Sequence, residues 1–359
     1  MGPYYVTIAL VFLFSLTAQY TSVRDTVETV RLKDEPVLTK LLLFFTAAVL
    51  IFVAGCRYRV GADYGAYYNG LELFGSRLLE SIRKFDEPGL PVLASIIKNF
   101  TSDGAWLVFI CSLITIGLFL LTIYQNDSSY LMGSLLFVLV GIWDGTFNGV
   151  RQYFAAAILF AGHRFIYERK LWQYLVTVFL ATCFHISAVV MVVLFFLLRN
   201  RITLRNVILL AVGTALVSAN YDTVFSFVGF LKDSDFTELN TYATTTVNIL
   251  RILVAAAPAI LCLIIYWKKE LTREQAFYIN ALIIHGAAMI AASNSAYLAR
   301  IGIYTSPFLP IAIPKLVRLK NKRVEFLFRV GIILLYAVYW YVGISGSESM
   351  RYFRWIWQR

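Results

Sequence analysis

Apolar runs succeed one another along the chain, near residues 4–20, 37–55, 104–124, 129–143, 150–167, 171–183, 185–198, 204–219, 247–267, 276–293, 297–317 and 326–344. An irregular backbone facing lipid leaves its amides unsatisfied, so these runs predict helices. The least certain stretch is 171–198, which has 28 residues without a formally charged side chain. A single helix of that length reaches about 42 Å, against a hydrocarbon core of about 30 Å. A long tilted helix fits, and so does a turn at Phe184-His185-Ile186-Ser187 between two short helices. Charge placement arbitrates. With twelve helices both termini share one side, and the loops at 21–40, 163–170, 199–206, 268–275 and 315–329 share the other. Those five loops hold 19 of the 32 Lys and Arg. With one helix at 171–198 the parity flips midway and basic loops fall on both faces. The positive-inside rule therefore favours twelve helices with both termini outside. The expected class is an all-α polytopic membrane protein, a single integral domain over 1–359. Two long segments fall outside, 56–103 and the Thr-rich 220–246. Leu90–Lys98 reads as a short amphipathic or re-entrant helix within the first.

Composition agrees. Of 359 residues, 59% are apolar and 15% charged, against roughly 45–50% and 25% in soluble domains. Twelve spans use about 240 residues at about 20 each, which leaves no room for a separate soluble enzyme. Any chemistry must come from loops and helix ends. The net charge of +11 is accounted for by cytoplasmic loops, so nucleic acid is not called for. Cys56, Cys111, Cys183 and Cys262 form no Cys-x-x-Cys pair and lie in or beside apolar stretches. They read as buried small residues, implying neither a zinc site nor a disulfide framework. The start Met1-Gly2-Pro3-Tyr4-Tyr5 has no basic region and no cleavage pattern follows, so the first helix is expected to be retained.

Ionisable groups at membrane depth are costly and mark function by default. Arg57-Tyr58-Arg59-Val60-Gly61-Ala62-Asp63-Tyr64 follows the second run directly. Two Arg and one Asp there suit an anion and a nearby base, because the planar guanidinium binds two oxygens and stays charged. The plainer reading is an Arg–Asp pair tying down a loop. Arg151 falls in the first turn of the fifth run, the positive end of a helix dipole. A structural cation is poorly placed there, whereas dipole, amides and Arg151 reinforce one another around an anion. Snorkelling to headgroups is the alternative. His185 sits between two apolar runs; on the favoured topology it reaches the outer face as a candidate general base. Arg300 lies near the outer end of the eleventh run. His163 and His285 look ordinary, and Arg351–Arg359 reads as an interfacial anchor. No Gly-x-x-x-x-Gly-Lys-Ser/Thr loop, no His-Glu-x-x-His and no His-x-x-x-x-Asp of a membrane acyltransferase occurs. Gly343-Ile344-Ser345-Gly346 matches an intramembrane-protease form too short to weigh.

Together these stretches resemble the EpsG/Wzy-like family of bacterial polysaccharide repeat-unit polymerases. The resemblance is carried by Arg57-Tyr58-Arg59-Val60-Gly61-Ala62-Asp63-Tyr64 with Tyr67-Tyr68, Glu87-Pro88-Gly89-Leu90, Arg151-Gln152, Phe184-His185-Ile186-Ser187-Ala188 and Arg300-Ile301-Gly302-Ile303-Tyr304, in that order. Ala62 departs from the Thr often found beside the Gly. The resemblance implies an inner-membrane glycosyltransferase of GT-C-like architecture, acting at the periplasmic face on O-antigen or exopolysaccharide. A glycan on undecaprenyl diphosphate moves onto the terminal sugar of an incoming lipid-linked repeat unit. Membrane lipids, a chain-length regulator and a flippase are the implied partners, and no cofactor or metal is required.

The expected roles follow from the leaving group, a lipid diphosphate whose developing charge needs preorganised cations. Arg57, Arg151 and Arg300, with Arg59 behind them, are the candidates. His185 or Asp63 takes the proton of the acceptor hydroxyl. Glu87, Tyr64 and Gln152 orient substrate or loop. A flippase for the same lipid-linked glycan, a ligase using the same donor and a non-catalytic assembly partner are the competing classes. A flippase is expected to place its charges near the midplane.

Overall fold

The structure is a computed structural model that describes residues 1–23, 32–74, 80, 82, 86–126, 129–199, 203, 208–210, 212, 213, 216, 247–266, 269–293, 298–319 and 321–359. The expected outer segment 220–246, and most of the apolar run 204–219, lie outside the described residues. Among those residues the chain is helical throughout, and its only β-type pairing is an isolated antiparallel bridge between Arg57 and Trp355.

The chain divides into two compact units: Met1–Phe165 with Lys170–Val192 and Leu309–Arg359, and Ile166–Arg169 with Val193–Phe308. In the first unit, α1 (Gly2–Thr21) packs along α2 (Val37–Gly55), which packs on the helix of the next apolar run, 104–124. The long segment after α2 carries α3 (Tyr64–Phe74) and α4 (Gly89–Lys98). The expected amphipathic helix is therefore present, with Leu90, Pro91, Ala94, Ser95 and Ile97 buried. Then come α5 (Ala105–Asn126), α6 (Tyr130–Leu139), α7 (Val150–Ala161) and α8 (Leu171–Thr182).

The ambiguous 171–198 stretch turns. After α8 the chain reverses at Cys183–His185, passes a 3-10 turn at Ile186–Val190 and continues as α9 (Met191–Leu198). The run 297–317 is not one helix. It breaks into short turns before an eight-residue helix, Leu309–Leu316, where Pro307 and Pro310 lack the amides that would continue the turns as one helix; Pro314 is accommodated inside that helix. Five described helices are long and apolar enough to cross a membrane: Gly2–Thr21, Val37–Gly55, Ala105–Asn126, Ile249–Tyr266 and Lys322–Ser345. Shorter apolar helices accompany them.

Helix starts follow local chemistry. Ser129 accepts from the Met132 N–H, Asn321 from the Arg323 and Val324 N–H groups, and Thr272 with Gln275 forms a reciprocal cap. In the second unit, Ile249–Tyr266 packs along Arg273–Ala291. His285 is buried there, with Nδ1 2.8 Å from the Thr305 hydroxyl. His163, in the first unit, is also buried, with Nδ1 2.6 Å from the Phe160 carbonyl. Both are core histidines; His163, which the sequence put in a basic loop, is as buried as His285.

Both ends of the chain meet at one end of the first unit. The Tyr4 hydroxyl donates to the Met350 carbonyl at 2.9 Å. The Tyr58 N–H donates to the Arg354 carbonyl and the Ile356 N–H to the Cys56 carbonyl, each at 2.8 Å. The last residues, expected as a lipid anchor, thus pair with the loop after α2. Trp355 and Trp357 stack on each other beside Phe52. Arg359 closes the segment with a 2.7 Å ion pair to Asp103, which also receives the Ala105 N–H at the start of α5. The Arg359 pairing holds the Asp103 carboxyl below the usual carboxylate range despite some burial.

Candidate functional site

The loop after α2 arrives at the N-terminus of α7 because Gly61 permits it. Gly61 has φ +97°, and a Cβ there meets the Phe147 carbonyl oxygen at 2.5 Å. Its amide donates to the Ser349 carbonyl at 3.0 Å. The Asn148 side-chain oxygen accepts from the Ala62 N–H at 2.6 Å, and Asp63 Oδ2 accepts from the Gly149 N–H at 2.9 Å. Asp63 therefore lies, exposed, at the positive end of α7, where a carboxylate is stabilised. Asn148, not singled out from the sequence, is as much a part of this junction as Asp63. Its signal was an Asn-Gly pair directly before an apolar run.

Arg57 is inside the protein. Its side chain is 1% exposed. Nε donates to the Val60 carbonyl at 3.1 Å, Nη1 to the Ala54 carbonyl and to the Ser112 hydroxyl at 3.3 Å, and Nη2 to the Phe147 carbonyl at 3.4 Å. The guanidinium lies over the Phe147 ring at 4.7 Å and near Tyr64 at 5.8 Å. Burial pulls it down to about 10, still far above neutral, so the cation persists. The sequence-based expectation of a headgroup grip at Arg57 thus meets a side chain already engaged by protein acceptors. Tyr64, expected to orient substrate, is buried too, stacked on Tyr68 at 5.7 Å. Gln152 is buried on α7. Arg59 is exposed, with φ +53°, and its guanidinium lies 5.4 Å from the Tyr58 ring.

A second junction forms around Glu87. Its Oε2 accepts from Arg151 Nη1 at 2.6 Å. Its Oε1 accepts from the Ile186 N–H at 2.9 Å and lies 2.9 Å from His185 Nδ1. That ring nitrogen is shielded from solvent and has no other partner among the described residues, so its close neighbour is the Glu87 carboxylate at 2.9 Å. Partial burial works to raise the Glu87 carboxyl, but the contacts with His185, the Ile186 N–H and Arg151 outweigh it and hold the group below the usual carboxylate range. The Tyr67 hydroxyl completes the surround of Arg151, contacting its backbone and side chain.

Packing brings these groups together. Phe184 stacks on Phe154 at 4.0 Å, pinning the turn before His185 to the helix that carries Arg151. Gly89 donates its N–H to the Cys183 carbonyl at 2.7 Å, and a Cβ on Gly89 meets the Phe184 ring at 2.8 Å and the Cys183 oxygen at 2.9 Å. Only glycine lets the Glu87-Pro88-Gly89 turn approach this closely. Gly89→Val is expected to push Glu87 off His185. It should cut activity tenfold or more and cost about 1–3 kcal/mol, the usual penalty of overpacking. Thermal unfolding in detergent alongside a polymerisation assay checks both.

Arg300 belongs to the second unit, in a 3-10 turn at Leu298–Ile301, and is exposed. Among the described residues no group of three or more His, Cys, Asp or Glu gathers as a metal site.

The first unit thus presents, at one end, an exposed guanidinium, a paired carboxylate and an imidazole from three segments far apart in sequence. The sequence matches the family model described as the EpsG family over residues 40–356. The chain belongs to the EpsG family. That range takes in every residue of both junctions except the last three of the C-terminal segment. Membership, with the apolar helices, makes the chain a polysaccharide-polymerase-like membrane protein. No curated protein and no solved structure matches it.

Proposed function

We propose that the chain is a membrane glycosyltransferase that lengthens a polysaccharide. It transfers a growing glycan from undecaprenyl diphosphate to the terminal sugar of an incoming lipid-linked repeat unit, at the periplasmic face of the bacterial inner membrane. The observation that carries this reading is the meeting of Arg151 and His185 on one carboxylate. An anion-binding cation and a proton acceptor are the two groups this reaction needs most.

The acceptor hydroxyl oxygen attacks the anomeric carbon while the bond from that carbon to the diphosphate oxygen breaks. The electron pair leaves with the lipid diphosphate, and its charge falls on Arg151. The hydroxyl proton passes to His185. His185 is preferred over Asp63 because one Asp63 oxygen is already taken by the Gly149 N–H. Arg57 supports the site from within by holding the loop that carries Asp63.

Deleting the gene is expected to abolish long glycan chains while single repeat units still reach the final acceptor. Loss of all attached glycan would instead indicate a ligase or a flippase and end this reading. Gel profiles of the surface glycan distinguish the two.

A further inference from the structure

We propose that Glu87 is the positioning residue of this site: it holds the His185 ring with Nε2 turned to the acceptor, and it keeps Arg151 paired until a diphosphate takes its place. The inference rests on the glycosyl-transfer reading above.

The two carboxylate oxygens have separate tasks. Oε1 takes the Ile186 N–H and faces His185 Nδ1, each at 2.9 Å, so it grips the backbone beside the ring as well as the ring. An imidazole nitrogen facing a carboxylate carries the proton, which leaves Nε2 as the nitrogen with a free lone pair. Oε2 takes Arg151 Nη1 alone, at 2.6 Å. The side chain of Glu87 is 12% exposed, whereas that of Arg151 is 42% exposed. The carboxylate is therefore held in place, and the guanidinium is the partner open to solvent. A diphosphate offers more negative charge and more acceptor oxygens than one carboxylate oxygen, so it competes for Arg151 from the solvent side.

That exchange balances charge through the reaction. Before binding, Arg151 and Glu87 neutralise each other beside the imidazole of His185. With the diphosphate on Arg151, the Glu87 charge is left facing His185. When the acceptor proton arrives on Nε2, the imidazolium has its counter-ion in contact already. Donor binding thus prepares the base, and a site without donor holds its carboxylate neutralised.

The test is steady-state kinetics of the full chain in liposomes with lipid-linked repeat units, per folded enzyme, for Glu87→Gln and Glu87→Ala. Glu87→Gln keeps shape and volume, so it reports even if the alanine variant fails to fold. Both remove the counter-ion of the imidazolium, so kcat is expected to fall by about 100-fold. Both also free Arg151 from competition, so KM for the lipid-linked unit is expected to fall about threefold, the size of a partly exposed ion pair. Glu87→Asp, which keeps the charge, is expected to recover part of kcat. A merely structural Glu87 would change the amount of folded protein and leave kcat and KM per folded enzyme unchanged. That result, or a raised KM with unchanged kcat, overturns the proposal. If Arg151→Ala and His185→Ala retain full activity, the transfer reading itself has failed; if they are inactive and Glu87→Gln is normal, only the role of Glu87 has.

Discussion

Arg151→Ala should leave the protein folded and inserted while lowering polymerisation by about 10²–10³-fold, the cost of removing one preorganised donor from a developing anion. The side chain is 42% exposed and its ion pair is with Glu87. Truncating it uncovers no large cavity. His185→Ala is expected to cost about 10²–10⁴-fold, the range for losing a positioned base. The two should not multiply when combined, because both act on the same transition state through the same carboxylate. Activity of purified variants on lipid-linked repeat units, with folded fraction measured separately, gives the numbers. Near-normal rates for both single variants would remove Arg151 and His185 from the chemistry.

Arg57→Ala is expected to act through stability instead. Removing this side chain orphans acceptors at Ala54, Val60, Ser112 and Phe147 and empties the space against the Phe147 ring. Unsatisfied buried acceptors cost about 1–3 kcal/mol each, and large-to-small changes in a core cost about 2–5 kcal/mol. A loss of at least about 3 kcal/mol follows. Arg57→Lys should rescue little, because a single ammonium cannot reach acceptors spread around a planar fork. Detergent unfolding curves and the amount of inserted protein check this. A fully stable, inactive Arg57→Ala protein would return Arg57 to the role of a substrate contact.

The contrast between these two arginines shows how far the chain's letters carry. Arg57 and Arg151 look alike as cations beside apolar runs, and both were reasonable grips for a diphosphate. Arg57 differs because segments around Ser112 and Phe147 close over it, 55 and 90 residues away in sequence. Arg151 keeps its exposure because it meets Glu87, 64 residues away, from one side. Asp63 shows the same dependence, since one of its oxygens is committed to Gly149 across 86 residues.

The all-helical class, the apolar runs of the five long helices and a turn near 184–187 were readable without coordinates, whereas the break-up of the run 297–317 was not. The readable features depend on runs of apolar side chains and on the charge between them, both local properties. The alternation follows too: α1, α5 and α7 begin, and α2, α8 and Lys322–Ser345 finish, at the end where Glu87, Arg151 and His185 gather. Which polar side chains end in contact was not readable, because a side chain's burial and partners are set by whatever segment packs against it. The close approach at Gly89, the stack of Phe184 on Phe154 and the return of the C-terminal segment onto residues 56–61 are such long-range events. Composition and periodicity made this chain a helical membrane protein with candidate cations; packing between distant segments made one arginine a brace and left another facing outward beside a histidine.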